Sequence, residues 1–383
     1  MQSPELEPLP VATRPPQSSQ GQPSLSLVRN QLCLARPDEA PSAEWADAFD
    51  RVAGWAGLDI RHAPRGGAGV LRQRAGWAWG RGAARAPIFA PWLSHPAAAF
   101  QDPRRTRDLA PARWVASYLW DPCAGRPGRT AAIDAMLVSP HPAACRMDEE
   151  CGVSLPGSRL LHDMIGAAEA EGRSRIAVIG HERSRSALAR HMLAGKVVPG
   201  WSGLALEVLA IEEALARLAG DPGGWDAIIV MPELRSLIVT LLAELSGIRG
   251  PWPMLWQGDT LHLVSAETAL GRAGGAPLDA ALLVQSLALA ARNGGNLFAA
   301  RRLAEGWARL RDRGVVTETR GSPAPYVTQL SDAECLARLC AEDAAAGRPV
   351  APWKAVAAPA PNAAPASVPC GTAASRITLV ATR

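Results

Sequence analysis

Residues 225–247 read WDAIIVMPELRSLIVTLLAELSG. Ala227–Val230 is a short apolar run between Asp226 and a Met-Pro pair, the pattern of a strand buried on both faces. Glu233–Leu245 then reads as a helix. Its apolar run, IVTLLAEL above all, suits burial in a core or at a helix–helix interface. A buried strand leading directly into such a helix is the repeating step of an α/β core.

The same step recurs on either side. Upstream, Ile133–Val138 is an apolar strand ending at Ser139-Pro140, Ser158–Glu171 is a helix closed by Gly172, and Ile176–Ile179 is a buried strand. Ala205–Ala219 carries helical periodicity and stops at Gly220-Asp221-Pro222. Nearer the start, Leu32–Ala35 reads as a strand and Ala43–Ala56 as an amphipathic helix with Ser42 as its N-cap. Downstream, Pro277–Arg292 and Leu297–Arg313 read as consecutive helices joined by Asn293-Gly294-Gly295-Asn296. Residues 61–85, rich in Arg, Gly and Trp, fit neither period, and no internal repeat is present. The Pro-rich segment 1–25 reads as a disordered leader. The Ala/Pro-rich segment 346–383 reads as a tail, with a short strand at Ile377–Val380. The expected fold class is α/β, with a large mixed sheet flanked by helices.

Composition narrows the functional classes. The chain has 383 residues, 48% apolar and 20% charged, enough for two lobes or one large α/β domain. Its 40 basic and 36 acidic residues leave a formal charge of +4, with no basic stripe interleaved with aromatics, so nucleic acid is not an expected partner. QDPRRTR (101–107) reads as a solvated loop rather than an anion site. No apolar run approaches the ~18 residues of a membrane span, and no signal peptide is evident, so a cytoplasmic protein without membrane contact is expected. The seven cysteines are scattered without a CxxC pair, which suits reduced thiols rather than a zinc site. Lys196 and Lys354 are the only lysines, and Tyr118 and Tyr326 the only tyrosines, against 13 tryptophans. Chemistry that needs a Lys or a Tyr therefore has very few candidates.

Several strings resemble the isocitrate/isopropylmalate dehydrogenase family, NAD(P)- and divalent-metal-dependent enzymes that oxidise and decarboxylate β-hydroxy acids. WDAIIVMPELRSLIVTLLAELSG is similar to the family's strand, "TPN" turn and "GDILSD" helix. ETALGRAGGAPLDAALLVQSLALAARNGG resembles the stretch that begins at the "HGSAPDIAGK" loop, and RIAVIGHERS the strand and "HKAN" turn. AIDAMLVSPHPAACR resembles the strand running into "REN-T-E-G-x-Y". The resemblance implies an isopropylmalate dehydrogenase-like two-lobed fold. Residues 26–118 plus 246–345 would form a large nucleotide-side lobe, and 119–245 a small lobe with dimer-type helices.

Carried over position by position, the resemblance implies a depleted site. The metal-binding Asp before the WD strand falls on Glu212, while the two Asp residues of "GDILSD" fall on Leu237 and Leu241. Leucine cannot ligate Mg²⁺ or Mn²⁺, so the metal site is expected to be lost. The catalytic Lys falls on His181, and the Tyr on Arg146. Of the substrate clamp Arg107 and Arg113 remain, and the Arg of "REN" becomes Ser139. For NAD or NADP, the nucleotide loop reads LVSAETALGRA: Gly271, Arg272 and Pro277 remain, but the loop's His, Asp and Asn become Leu263, Thr268 and Ala276. Only 12 residues separate Arg146 from Arg159, too few for the family's two-stranded intersubunit arm. The resemblance still implies a homodimer, or a hetero-oligomer with an active family member. Two functions follow as expectations. One is a catalytically impaired or inactive family member with a binding, regulatory or partner-subunit role. The other is an active NAD(P)-dependent oxidoreductase working through His181 and Glu212.

Overall fold

The structure, a computed structural model, describes residues 31–34, 43–62, 88–96, 100, 112–122, 133–194, 203–248, 250–258, 262–269, 278–317, 327–341 and 349–357. The strands are β1 (Gln31–Leu34), β2 (Asp59–His62), β3 (Ile88–Pro96), β4 (Trp114–Asp121), β5 (Ile133–Pro140), β6 (Cys145–Asp148), β7 (Val153–Pro156), β8 (Arg175–Gly180), β9 (Ala205–Ala210), β10 (Ala227–Val230), β11 (Trp252–Gln257), β12 (His262–Thr268), β13 (Val315–Thr317) and β14 (Thr328–Leu330). The helices are α1 (Ala43–Ala56), α2 (Ser158–Glu169), α3 (Arg185–Leu193), α4 (Ile211–Gly220), α5 (Arg235–Ser246), α6 (Ala280–Asn293), α7 (Leu297–Asp312), α8 (Asp332–Ala341) and α9 (Lys354–Ala357).

A ten-stranded mixed sheet runs in the order β2-β1-β3-β12-β11-β4-β5-β10-β8-β9. At one end β5, β10, β8 and β9 are parallel; at the other β2, β1, β3 and β12 are parallel. Antiparallel ladders through β11 and β4 join the two blocks. The expected mixed α/β sheet flanked by helices is thus present. Its parallel block is covered on both faces, as alternation along each strand requires. In β10, Ala227 and Ile229 face the larger apolar cluster with α2 and α3, while Ile228 and Val230 face a second cluster with α4 and α5. α6 is buried all round in the larger cluster, capped by the Asp279 carboxylate accepting from Leu282 N. Among the described residues no helix is long and apolar enough to cross a membrane.

Four expectations need correction. The helix over Ala205–Ala219 is two elements: ALEVLA forms β9, paired residue for residue with β8 from Arg175↔Ala205 to Gly180↔Ala210. Ala, Leu and Glu favour helix by only a few tenths of a kcal/mol each (~0.7 at most), less than pairing and the burial of Leu206 and Leu209 return. The segment between Arg146 and Arg159 is not too short for two strands. β6 and β7 form a hairpin whose turn is closed by Asp148 accepting from Glu150 N and Cys151 N and by Gly152 at φ +63°. Leu263–Thr268 is not a loop but the body of β12, with both of those residues buried. Finally, the C-terminal tail begins with a packed strap, residues 349–357, whose Trp353 is 1% exposed. The leader 1–25, Ser42, residues 63–85 and Ile377–Val380 lie outside the described residues.

Candidate functional site

The strands β5, β10, β8 and β9 all end at one edge of the sheet. The chain leaves β5 and β8 towards α2 and α3, and leaves β10 and β9 towards α5 and α4. Neighbouring connections thus part to opposite faces at the carboxyl ends, the place where α/β sheets usually carry a ligand crevice.

Two polar residues meet there. His181 follows β8 and begins a 3-10 turn (Glu182–Ser184), and Glu233 lies in the equivalent turn after β10 (Pro232–Leu234). Nε2 of His181 is 3.7 Å from Oε1 of Glu233, with side chains 36% and 38% exposed. Gly180 makes this geometry available. A Cβ there would lie 2.5 Å from Leu188 Cδ1 and 2.7 Å from Ser184 Oγ, and that same hydroxyl donates to the His181 carbonyl at 2.8 Å. Behind the pair, burial first and then the nearby Glu233 carboxylate push the Cys145 thiol up to about 12, so it stays protonated at neutral pH. Its Sγ lies 3.7 Å from the His141 carbonyl, while Nδ1 of the buried His141 caps the Pro142–Ala144 turn by accepting from Ala143 N.

The other candidates separate. Glu212, in the first turn of α4 at the same edge, is exposed, and its neighbour Glu213 is the one that pairs, with Arg185 at 3.7 Å and Arg217 at 2.7 Å. Arg113, just before β4, is held by Asp163 of α2 at 2.7 Å. Arg146 is exposed on β6. Leu237 is 43% exposed, and Leu241 packs against the second apolar cluster. Among the described residues no three His, Cys, Asp or Glu side chains are placed to hold a metal ion. Arg107, Gly271, Arg272 and Pro277 lie outside the described residues, as do Lys196 and Tyr326.

Two charged networks escaped the sequence reading. Beneath the carboxyl edge, Arg235 at the start of α5 is fully buried. It donates from Nε and Nη2 to both oxygens of Glu267 (2.7 and 2.8 Å), from Nη1 to Ser139 Oγ and from Nη2 to Ser117 Oγ, with Phe100 stacked 4.8 Å away. The bidentate pair leaves this arginine no role as a substrate clamp. Its only sequence signal is a lone Arg opening an apolar helix, matched by a lone Glu in an apolar strand.

The second network lies at the opposite, amino-terminal edge. Glu171 accepts from Tyr118 OH, Arg173 and Arg292. Arg173 also reaches Asp134, and Lys354 Nζ sits 2.9 Å from Asp226. Burial, with the Glu171 charge, holds the Tyr118 phenol well above its ordinary value. Tyr118 and Lys354 are therefore structural and stand on the edge away from the carboxyl ends.

No family model matches the chain, and no curated protein matches it in sequence. Solved structures do. An isocitrate dehydrogenase from Methylococcus capsulatus superposes with a TM-score of 0.56 at 13% identity, over 81% of this chain and 98% of the other. A protein from Thermus thermophilus superposes with a TM-score of 0.55 at 16% identity, over 81% of this chain and 67% of the other. At these identities the likeness is one of fold: the chain shares the mixed α/β architecture of an isocitrate dehydrogenase, and no residue role passes with it.

Proposed function

We propose that this chain is an isocitrate dehydrogenase-like protein that has lost oxidative decarboxylation and keeps a binding, regulatory or partner-subunit role. The observation that carries the reading is the donor set at the carboxyl edge. A divalent ion polarising a substrate oxygen needs several hard oxygen ligands. The positions matched to them hold one exposed carboxylate, Glu212, and two leucines, Leu237 exposed and Leu241 packed against apolar side chains. That set does not fit Mg²⁺ or Mn²⁺. Arg113 and Arg185, which could meet an acidic substrate, are already paired with Asp163 and Glu213. Neither a NAD(P) site nor a dimer is needed for this reading, and both are questions for binding experiments.

A second reading has one observation in its favour. The half-exposed His181–Glu233 pair brings a carboxylate oxygen to 3.7 Å from an imidazole nitrogen at the carboxyl edge, the residue types that acid–base chemistry uses. An oxidoreductase with altered residues would use His181 to move a proton, at the ring nitrogen that does not face Glu233.

One assay separates the two. The purified protein is given NAD⁺ or NADP⁺, Mg²⁺ or Mn²⁺, and isocitrate, isopropylmalate, tartrate or malate. The first reading expects no nicotinamide reduction above that of His181→Ala. Turnover that disappears in both His181→Ala and Glu233→Gln would overturn it. Thermal shifts with each nucleotide report separately on a retained cofactor site.

A further inference from the structure

At the amino-terminal edge, away from the carboxyl ends, the strap 349–357 crosses α7. Arg301 and Glu305 of α7 stand one helical turn apart, a spacing at which opposite charges ordinarily pair. They do not pair here. Arg301 Nη2 donates to the Ala357 carbonyl at 2.8 Å, and Glu305 pairs with Arg309 at 3.2 Å. Both instead flank a cavity of about 300 Å³ between helix and strap, whose other walls include Ala304, Pro352, Trp353 and Val356. The space suits a ligand of about ten non-hydrogen atoms, taking ~30 Å³ per water as the guide. Trp353, on one wall, is 1% exposed, and among the described residues its Nε1–H has no acceptor.

We propose that this cavity binds a small zwitterion with an apolar body, an apolar α-amino acid. Arg301 takes the carboxylate, and Glu305, through the oxygen not given to Arg309, takes the ammonium. The side chain lies against Trp353, Val356 and Pro352. The charges explain why a purely apolar ligand is not the best fit: a cation and an anion sit on one rim with apolar walls below, the same order of groups an amino acid presents. The inference does not rest on the proposed loss of dehydrogenase activity, because the cavity and the His181–Glu233 pair lie at opposite edges of the sheet.

The test is calorimetric titration of the full chain with L-leucine and L-phenylalanine, then with 4-methylpentanoate, which lacks the ammonium, and 3-methylbutylamine, which lacks the carboxylate. Saturable one-to-one binding of an amino acid is expected, with each single-charge analogue about tenfold weaker. Arg301→Gln and Glu305→Gln should each weaken binding about tenfold with an unchanged melting temperature, since neither side chain is buried. Ala304→Leu, which fills the cavity, should abolish it. No saturable binding at ~10 mM ligand would overturn the proposal. So would analogues that bind as tightly as the amino acids, or binding that survives all three substitutions.

Discussion

Truncating Trp353 to alanine gives the most direct reading of whether the C-terminal strap belongs to the core. The indole is stacked on Trp120 at 4.7 Å and 5°, and meets Tyr118 edge-on at 5.9 Å. Removing a fully buried Trp costs about 3–5 kcal/mol, a range that includes the lost stacking. The neighbouring cavity of about 300 Å³ lets water enter the new space, which favours the lower part of that range, about 3–4 kcal/mol. For a chain of this size each kcal/mol moves the midpoint by about 2 °C, so the melting temperature should fall by roughly 6–8 °C. Trp353→Phe, which keeps a ring against Trp120, should lose less than half as much. A tail side chain lying in solvent would change stability by no more than about 0.5 kcal/mol. Differential scanning calorimetry distinguishes these outcomes, and a midpoint within 1 °C of wild type would refute the packing argument (the ~2 °C per kcal/mol scale makes that less than about 0.5 kcal/mol).

Three further outcomes are expected. Gly180→Ala drives a Cβ into Leu188 and Ser184 and should cost about 1–3 kcal/mol in thermal or urea unfolding. A neutral result would mean the turn before His181 relaxes freely. Arg235→Met leaves Glu267 charged and buried and should cost about 3–5 kcal/mol, whereas Arg235→Met combined with Glu267→Met should recover most of it. If the double variant is the less stable of the two, the cost does not come from the unpaired Glu267 charge. The third concerns pH. Burial works to raise the Asp226 carboxyl, but hydrogen bonds from Lys354, Ser174 N and Arg175 outweigh it and hold the group well below its ordinary range. A depressed folded-state value adds stability above the unfolded value of about 3.9 and loses it as pH falls through the folded one. Lys354→Met should therefore flatten the acid limb of the stability–pH curve below about pH 4, and an unchanged limb would contradict the assignment.

The legible parts of the fold were those governed by local chemistry. The runs at Ile133–Val138, Ile176–Ile179 and Ala227–Val230 are strands because each places apolar residues on both faces (with Asp134 the one polar residue among them) and is bounded by polar or turn residues. The turn between α6 and α7 was readable because Gly295 takes φ +84° and Asn296 caps the next helix through its side chain. What escaped was set by neighbours. ALEVLA has the composition of a helix and becomes a strand only because β8 offers it a ladder. WPMLWQ carries Pro253, which argues against a central strand, yet the register with β4 begins at Met254 and spares the missing N–H. The site shows the same division. His181 was found at a strand end, but Glu233, on another connection, was joined to it only by the adjacency of β8 and β10.

By itself, the sequence determined the class of fold and the scarcity of proton-relay residues: alternating short apolar strands and helices demand a two-faced sheet, and two lysines and two tyrosines bound the chemistry. Tertiary structure alone decided where those few residues stand. Tyr118 is drawn to Glu171 and Lys354 to Asp226, because a carboxylate taken from water must be met by a donor wherever the chain brings one near. Both end on the edge opposite the carboxyl ends. Charge pairing in the folded core, which spans residues more than a hundred positions apart, leaves no periodic mark along the chain.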